Sequence, residues 1–187
     1  MKVQEMTYIA LFTAVMGALG LVPPIMLTFT PVPITLQTLG VLLSGGVLGA
    51  RLGAFSQILF LLLVAAGMPL LSGGRGGIGV FFGPSAGYLL AYPLTAFIIG
   101  YLLTKFKAKS LQSILFINLT VGILLIYFIG IPVQAFIMEI SLFQAIKLSL
   151  VYIPGDVLKA IIASYLVYQL RKSPIISRKL AKSSETL

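Results

Sequence analysis

Leu71-Ser-Gly-Gly-Arg-Gly-Gly-Ile-Gly-Val-Phe-Phe-Gly-Pro-Ser-Ala-Gly-Tyr88 is a long break in a sequence that is otherwise almost continuously apolar. Seven of its residues are glycine, and a single charge, Arg75, stands in the middle. Glycine permits positive φ and lets the backbone come close to another surface. A long connection without regular structure is usually a lid, a binding loop or disordered. Ile78, Val80, Phe81 and Phe82 argue against disorder. The stretch reads as an ordered lid over a pocket, with three apolar runs before it and three after.

Composition says what surrounds the lid. Of 187 residues, 59% are hydrophobic and 9% charged, and the mean hydropathy is +1.10. A soluble domain carries roughly 25% charged residues, so the chain reads as an integral membrane protein. It has neither cysteine nor histidine. That removes disulfides, thiol nucleophiles, histidine bases and most transition-metal sites, and no metal is expected. The net charge of +9 is placed between and after the apolar runs, which marks membrane topology and not nucleic acid. No cleavable signal peptide is expected, because the first apolar run leads through Pro23-Pro24 into more membrane sequence.

Hydropathy divides the chain into six spans, at about 7–22, 35–48, 52–67, 84–104, 111–130 and 142–170, forming one all-α transmembrane domain. Pro23-Pro24 closes the first span. Thr35 is the expected N-cap of the second. Gly49-Ala-Arg51-Leu-Gly53 is a tight turn, so spans two and three form a hairpin. Pro132 is expected to end the fifth span. The sixth is long for one crossing, and Pro154-Gly155 predicts a kink or a break within it. Residues 173–187 form a polar, basic tail. With the N-terminus in the cytoplasm, ten cations fall inside (Lys2, Arg51, Lys105, Lys107, Lys109, Arg171, Lys172, Arg178, Lys179 and Lys182) and, of the loop cations, only Arg75 outside, while Lys147 and Lys159 lie within or beside the last span. This bias predicts both termini inside and the glycine loop outside.

Ionisable residues at membrane depth suggest function. Asp156 and Lys159 stand at i, i+3, on one face of a helix that restarts after Pro154-Gly155. Asp156 then lies near a positive helix N-terminus. The pair could merely neutralise itself. It could also form the polar floor of a small-ligand site, with Asp156 accepting N–H groups and Lys159 holding a carbonyl or carboxylate. Arg75, Gly74, Gly76 and Gly77 on the loop, Thr35 and Gln37 at the start of span two, Phe81, Tyr88 and Tyr152 all fall toward the same outer side. The loop lacks the Gly-Lys-Ser/Thr ending and preceding strand of a nucleotide site. On span one, Ala10, Ala14 and Ala18 recur every fourth residue, a flat stripe suited to close helix packing.

Gly73-Gly-Arg-Gly-Gly77, Gly83-Pro-Ser-Ala-Gly-Tyr88, Pro31-Val-Pro-Ile-Thr-Leu-Gln37 and Tyr152-Ile-Pro-Gly-Asp156 with Lys159 together resemble the BioY family, over nearly the whole chain. These are biotin-specific substrate-binding (S) components of energy-coupling factor (ECF) transporters. Ser85-Ala86 departs from the Thr-Gly of that pattern. The resemblance implies the six-helix S-component bundle in the cell membrane and biotin captured from outside as substrate, with no separate cofactor. It also implies that the Ala10/Ala14/Ala18 stripe docks on a transmembrane coupling protein served by two cytoplasmic ATPases. The ureido N–H groups of biotin would suit Asp156, and its carboxylate Arg75 or Lys159. Its ring would pack on Tyr88, Phe81 or Phe82. Two alternatives remain beside this reading. One is the same fold for another vitamin. The other is an integral-membrane enzyme, disfavoured by the absence of His and Cys and by only four acidic residues.

Overall fold

The computed structural model describes residues 2–28 and 30–172. Among them six helices follow the chain: α1 Val3–Gly20, α2 Gln37–Leu48, α3 Ala50–Ala65, α4 Ala86–Lys105, α5 Leu111–Ile137 and α6 Leu142–Lys172. An antiparallel ribbon of β1 Ile25–Leu27 and β2 Thr30–Ile34 lies between α1 and α2. The wholly helical reading of the chain omits this ribbon. Its Pro31 and Pro33 argue against a central strand, but a two-stranded ribbon leaves each strand a free edge where a missing N–H is tolerated. Because β2 runs to Ile34, α2 starts only at Gln37. Thr35 is therefore not its N-cap: Leu36 holds that position and supplies no side-chain bond.

Four helices, α1, α4, α5 and α6, are long and apolar enough to cross a membrane, and the chain is a multi-pass membrane protein. α2 and α3 are shorter, with 12 and 16 residues. At 1.5 Å per residue α2 spans about 18 Å. It need not match the bilayer, because every residue of it except Thr38 is buried within the bundle. α4 is central, packing on α2, α3 and α5, while α6 packs on α2 and α5 and α1 leans on α2 and α3. Lipid gives helices no hydrophobic reason to associate, so close backbone approach must do it. The α2–α3 turn is the single residue Gly49, at φ 81° and ψ −178°. A Cβ on Gly100 of α4 would stand 2.2 Å from the Ala50 nitrogen of that turn, and one on Gly45 would stand 2.5 Å from the Ala96 carbonyl.

The last two helices are irregular. α5 contains a wide π turn at Asn118–Ile123, and Asn118 Nδ2 donates to Ser164 Oγ of α6 at 2.9 Å. Pro132 does not end this span, contrary to the sequence expectation. The helix continues through it to Ile137, since neighbouring helices offset a lost backbone bond in a membrane bundle. α6 breaks as expected: a 3-10 turn at Leu150–Tyr152 separates Leu142–Ser149 from Ile153–Lys172. Pro154 occupies the first turn of the second piece, where its missing N–H is harmless.

Arg171 gathers the end of the bundle away from the glycine loop. Its Nε donates to the Gly46 carbonyl at 2.7 Å and its Nη1 to the Ala108 carbonyl at 3.4 Å. The α2–α3 turn, the α4–α5 turn and the end of α6 therefore meet, bringing Arg51, Lys105, Lys107 and Lys109 to one side. The polar tail, with Arg178, Lys179 and Lys182, lies outside the described residues. Replacing Gly100 by alanine should force α4 off the α2–α3 turn and cost about 1–3 kcal/mol. Thermal unfolding in detergent should show the loss, and an unchanged melting temperature would mean that this crossing is not tight.

Candidate functional site

The break in α6 seats the charges. Asp156 enters the first turn of the restarted helix, and Lys159 follows one turn later on the same face. Their Nζ and Oδ1 atoms are 2.7 Å apart, and both residues are buried. The Tyr127 hydroxyl of α5 donates to the other carboxylate oxygen at 2.5 Å. A carboxylate has about four acceptor positions. Lys159 and Tyr127 take one on each oxygen and leave acceptor capacity on a residue that lines a cavity. Above the pair, the Tyr152 hydroxyl of the break is hydrogen-bonded to that of Thr30, which ties β2 to α6.

These groups face one cavity on the glycine-loop side of the bundle. Asp156, Lys159, Arg75, Gln37, Thr35, Tyr88 and Tyr152 all line it, joining residues up to 124 positions apart (159 − 35). Gln37 is buried, and its amide donates to the Leu70 carbonyl at 3.0 Å and that of Met16 at 3.4 Å, tying α2 to α1 and to the start of the loop. Arg75 is exposed, with Nε donating to the Ser72 carbonyl at 3.3 Å. Gly74, Gly76, Gly77 and Phe81 do not line the cavity. The glycines shape the loop instead. Leu71 and Arg75 pair backbone to backbone around Gly73 and Gly74, both at positive φ. A Cβ on Gly76 would stand 2.3 Å from the Met68 carbonyl, and Gly77 sits at φ 87° while its N–H donates to Val64. Phe81 lies in a 3-10 turn, Ile78–Phe82, and packs on an apolar cluster that includes Phe60, Val64 and Leu89, while Phe82 is exposed.

Several lining residues escape a reading of the sequence. Val32, Pro33 and Ile34 come from the unforeseen β2, and Tyr127 from the middle of the most apolar span. The hydroxyl of Tyr127 within an apolar run was the available signal. Tyr92, also lining, follows Tyr88 at i+4 and so shares its helix face. Ala10, Ala14 and Ala18 form an exposed stripe on α1.

A six-helix membrane bundle whose largely apolar cavity is lined at one place by a buried ion pair is the architecture of a small-molecule capture protein. The BioY family model matches residues 1–174, and the chain belongs to the BioY family. It is 50% identical over 177 residues to the probable biotin transporter BioY of Bacillus subtilis, covering 95% of each chain. It is 43% identical over 172 residues to the biotin transporter BioY of Rhizobium etli, covering 89% of this chain and 92% of that one. A crystal structure of the S-component for biotin from an ECF-type ABC transporter superposes with a TM-score of 0.91 at 39% identity, over 95% of this chain and 96% of the other. The fold is thus that of an ECF S component.

The buried pair makes its own prediction. Removing one member leaves the other charge uncompensated, which typically costs about 3–5 kcal/mol. Lys159→Met should therefore lower stability by about that amount. Asp156→Asn combined with Lys159→Met should recover most of it. Melting temperatures of the three proteins test this, and a single variant as stable as the double would refute the pairing.

Proposed function

We propose that this chain is the substrate-binding subunit of an ATP-driven ECF transporter and captures biotin from outside the cell. The family and the named relatives support this, and the cavity carries it in chemical terms: a buried carboxylate with spare acceptor capacity and an exposed guanidinium line the same space. Biotin has two ureido N–H donors at one end and a carboxylate at the other. The N–H groups fit the unoccupied acceptor capacity of Asp156. Lys159 is already held by Asp156 at 2.7 Å. Arg75 keeps its terminal nitrogens for a partner, so the geometry favours Arg75 over Lys159 for the carboxylate. Tyr88, Tyr92 and Leu89 offer the bicyclic ring an apolar wall. Charge-assisted hydrogen bonds in such a site are strong, and an unmade one is costly.

The same reading gives α1 its role. Its exposed Ala10, Ala14 and Ala18 form the surface that docks on the transmembrane coupling protein, through which two cytoplasmic ATPases drive transport. The excess of cations at the Arg171 end supports cytoplasmic termini and a cavity open to the exterior.

Isothermal titration of the purified protein tests the ligand assignment. Asp156→Asn should weaken biotin at least tenfold, or about 1.4 kcal/mol. Arg75→Ala should weaken biotin about tenfold but leave its methyl ester little changed. Wild-type affinity for biotin in the Asp156 variant would remove that residue from the site. Docking is tested separately: Ala14→Trp should abolish co-purification with the coupling protein while biotin binding persists, and retained co-purification would move the interface elsewhere.

A further inference from the structure

Tyr88 lines the cavity, yet its hydroxyl is turned away from it. The hydroxyl donates to Gln134 Oε1 of α5 at 2.6 Å and lies 3.0 Å from Ser149 Oγ of α6. Neither Gln134 nor Ser149 lines the cavity, and both are buried. A tyrosine hydroxyl has one proton. A carboxamide oxygen can only accept, so that proton goes to Gln134. Ser149 must then give its own proton either to the Tyr88 oxygen or to the Ala145 carbonyl, 2.8 Å away. The ring itself lies against bare backbone: a Cβ on Gly130 would stand 2.4 to 2.7 Å from three of its carbons. Tyr127, which holds Asp156, meets it edge to face at a centroid separation of 6.3 Å.

We infer that Gln134 and Ser149, with Gly130, are positioning residues that hold the Tyr88 ring as a rigid wall of the cavity and thereby set its selectivity for the bulk of the ligand's ring system. The inference rests on biotin as the ligand and adds residues that never touch it. Their hydrogen bonds consume the tyrosine hydroxyl, so Tyr88 presents only its ring to the substrate. Gly130 supplies the recess without which that orientation is closed. The same ring abuts Tyr127, so its placement and that of the Asp156 carboxylate are set together.

The test is a double-mutant cycle on the full chain in detergent, read by titration with biotin and with desthiobiotin, which lacks the sulfur-containing ring. Wild type should bind biotin more tightly than desthiobiotin. Gln134→Leu and Tyr88→Phe should each weaken biotin about tenfold, or about 1.4 kcal/mol, because a ring no longer held in place must be ordered on binding. The double variant should be no weaker than either single one, because both remove the same interaction. The preference for biotin over desthiobiotin should fall alike in all three. Ser149→Ala, a smaller change, should give a lesser loss that likewise vanishes in the Tyr88→Phe background. Additive losses, or an unchanged preference in folded Gln134→Leu or Ser149→Ala, would overturn the positioning role and leave the biotin assignment standing. A wild-type protein that binds no biotin would overturn both.

Discussion

A carboxylate and an ammonium group 2.7 Å apart, buried among membrane helices, are the constraint to which the site conforms. Each charge alone would cost several kcal/mol at that depth. Together they cancel, but two charges that only cancel offer nothing to a ligand. Tyr127 changes the balance by donating to the second carboxylate oxygen, which anchors Asp156 from another helix and orients what remains of its acceptor capacity. The break in α6 exists at the same place. The 3-10 turn at Leu150–Tyr152 interrupts the helix, so that Asp156 falls with Pro154 and Gly155 in the first turn of a new one, where the helix dipole favours a negative charge. Thr30 then fastens the β1–β2 ribbon to Tyr152 at that break, so two parts of the cavity lining are joined.

A ligand cavity within a membrane bundle needs rigid walls, and in lipid these come from close packing. Glycines do this at each crossing around α4. Gly100 meets the α2–α3 turn, Gly45 meets the Ala96 carbonyl, and Gly87 meets Val133 of α5. The short, buried α2 is a consequence: it serves as the internal post against which α4 and α6 pack, and its carbonyl at Gly46, on the side away from the glycine loop, accepts from Arg171. The glycine loop works differently. Its glycines permit positive φ and backbone contact that fold the loop on itself, and Arg75 is the side chain it delivers to the cavity.

Much of this was legible because it is local. The run of apolar segments, the one-residue hairpin at Gly49, the interruption before Asp156 and the i, i+3 spacing of Asp156 and Lys159 are all properties of neighbours in sequence. The misjudged features were those in which tertiary context overrides a local signal. Two prolines hid a strand at Pro31 and Pro33, which a free ribbon edge accommodates. Pro132 looked like a terminus, yet packing carries α5 through it. The glycines of the loop looked like a ligand surface, but Gly76 faces the Met68 carbonyl and not the cavity.

The amino-acid sequence by itself determined that this protein lives in a membrane, how many helices it makes, where the last one breaks and which charges face each other across one turn. Hydropathy and short-range spacing suffice for those, since lipid forces every segment to satisfy its own backbone. Only the tertiary structure decided which side chains share the cavity. Tyr127 reaches Asp156 from 29 residues away, and Tyr88 finds Gln134, Ser149 and Gly130 across three helices. Such meetings depend on crossing geometry and on the exact glycine that leaves room for a ring, and no periodicity along the chain records them.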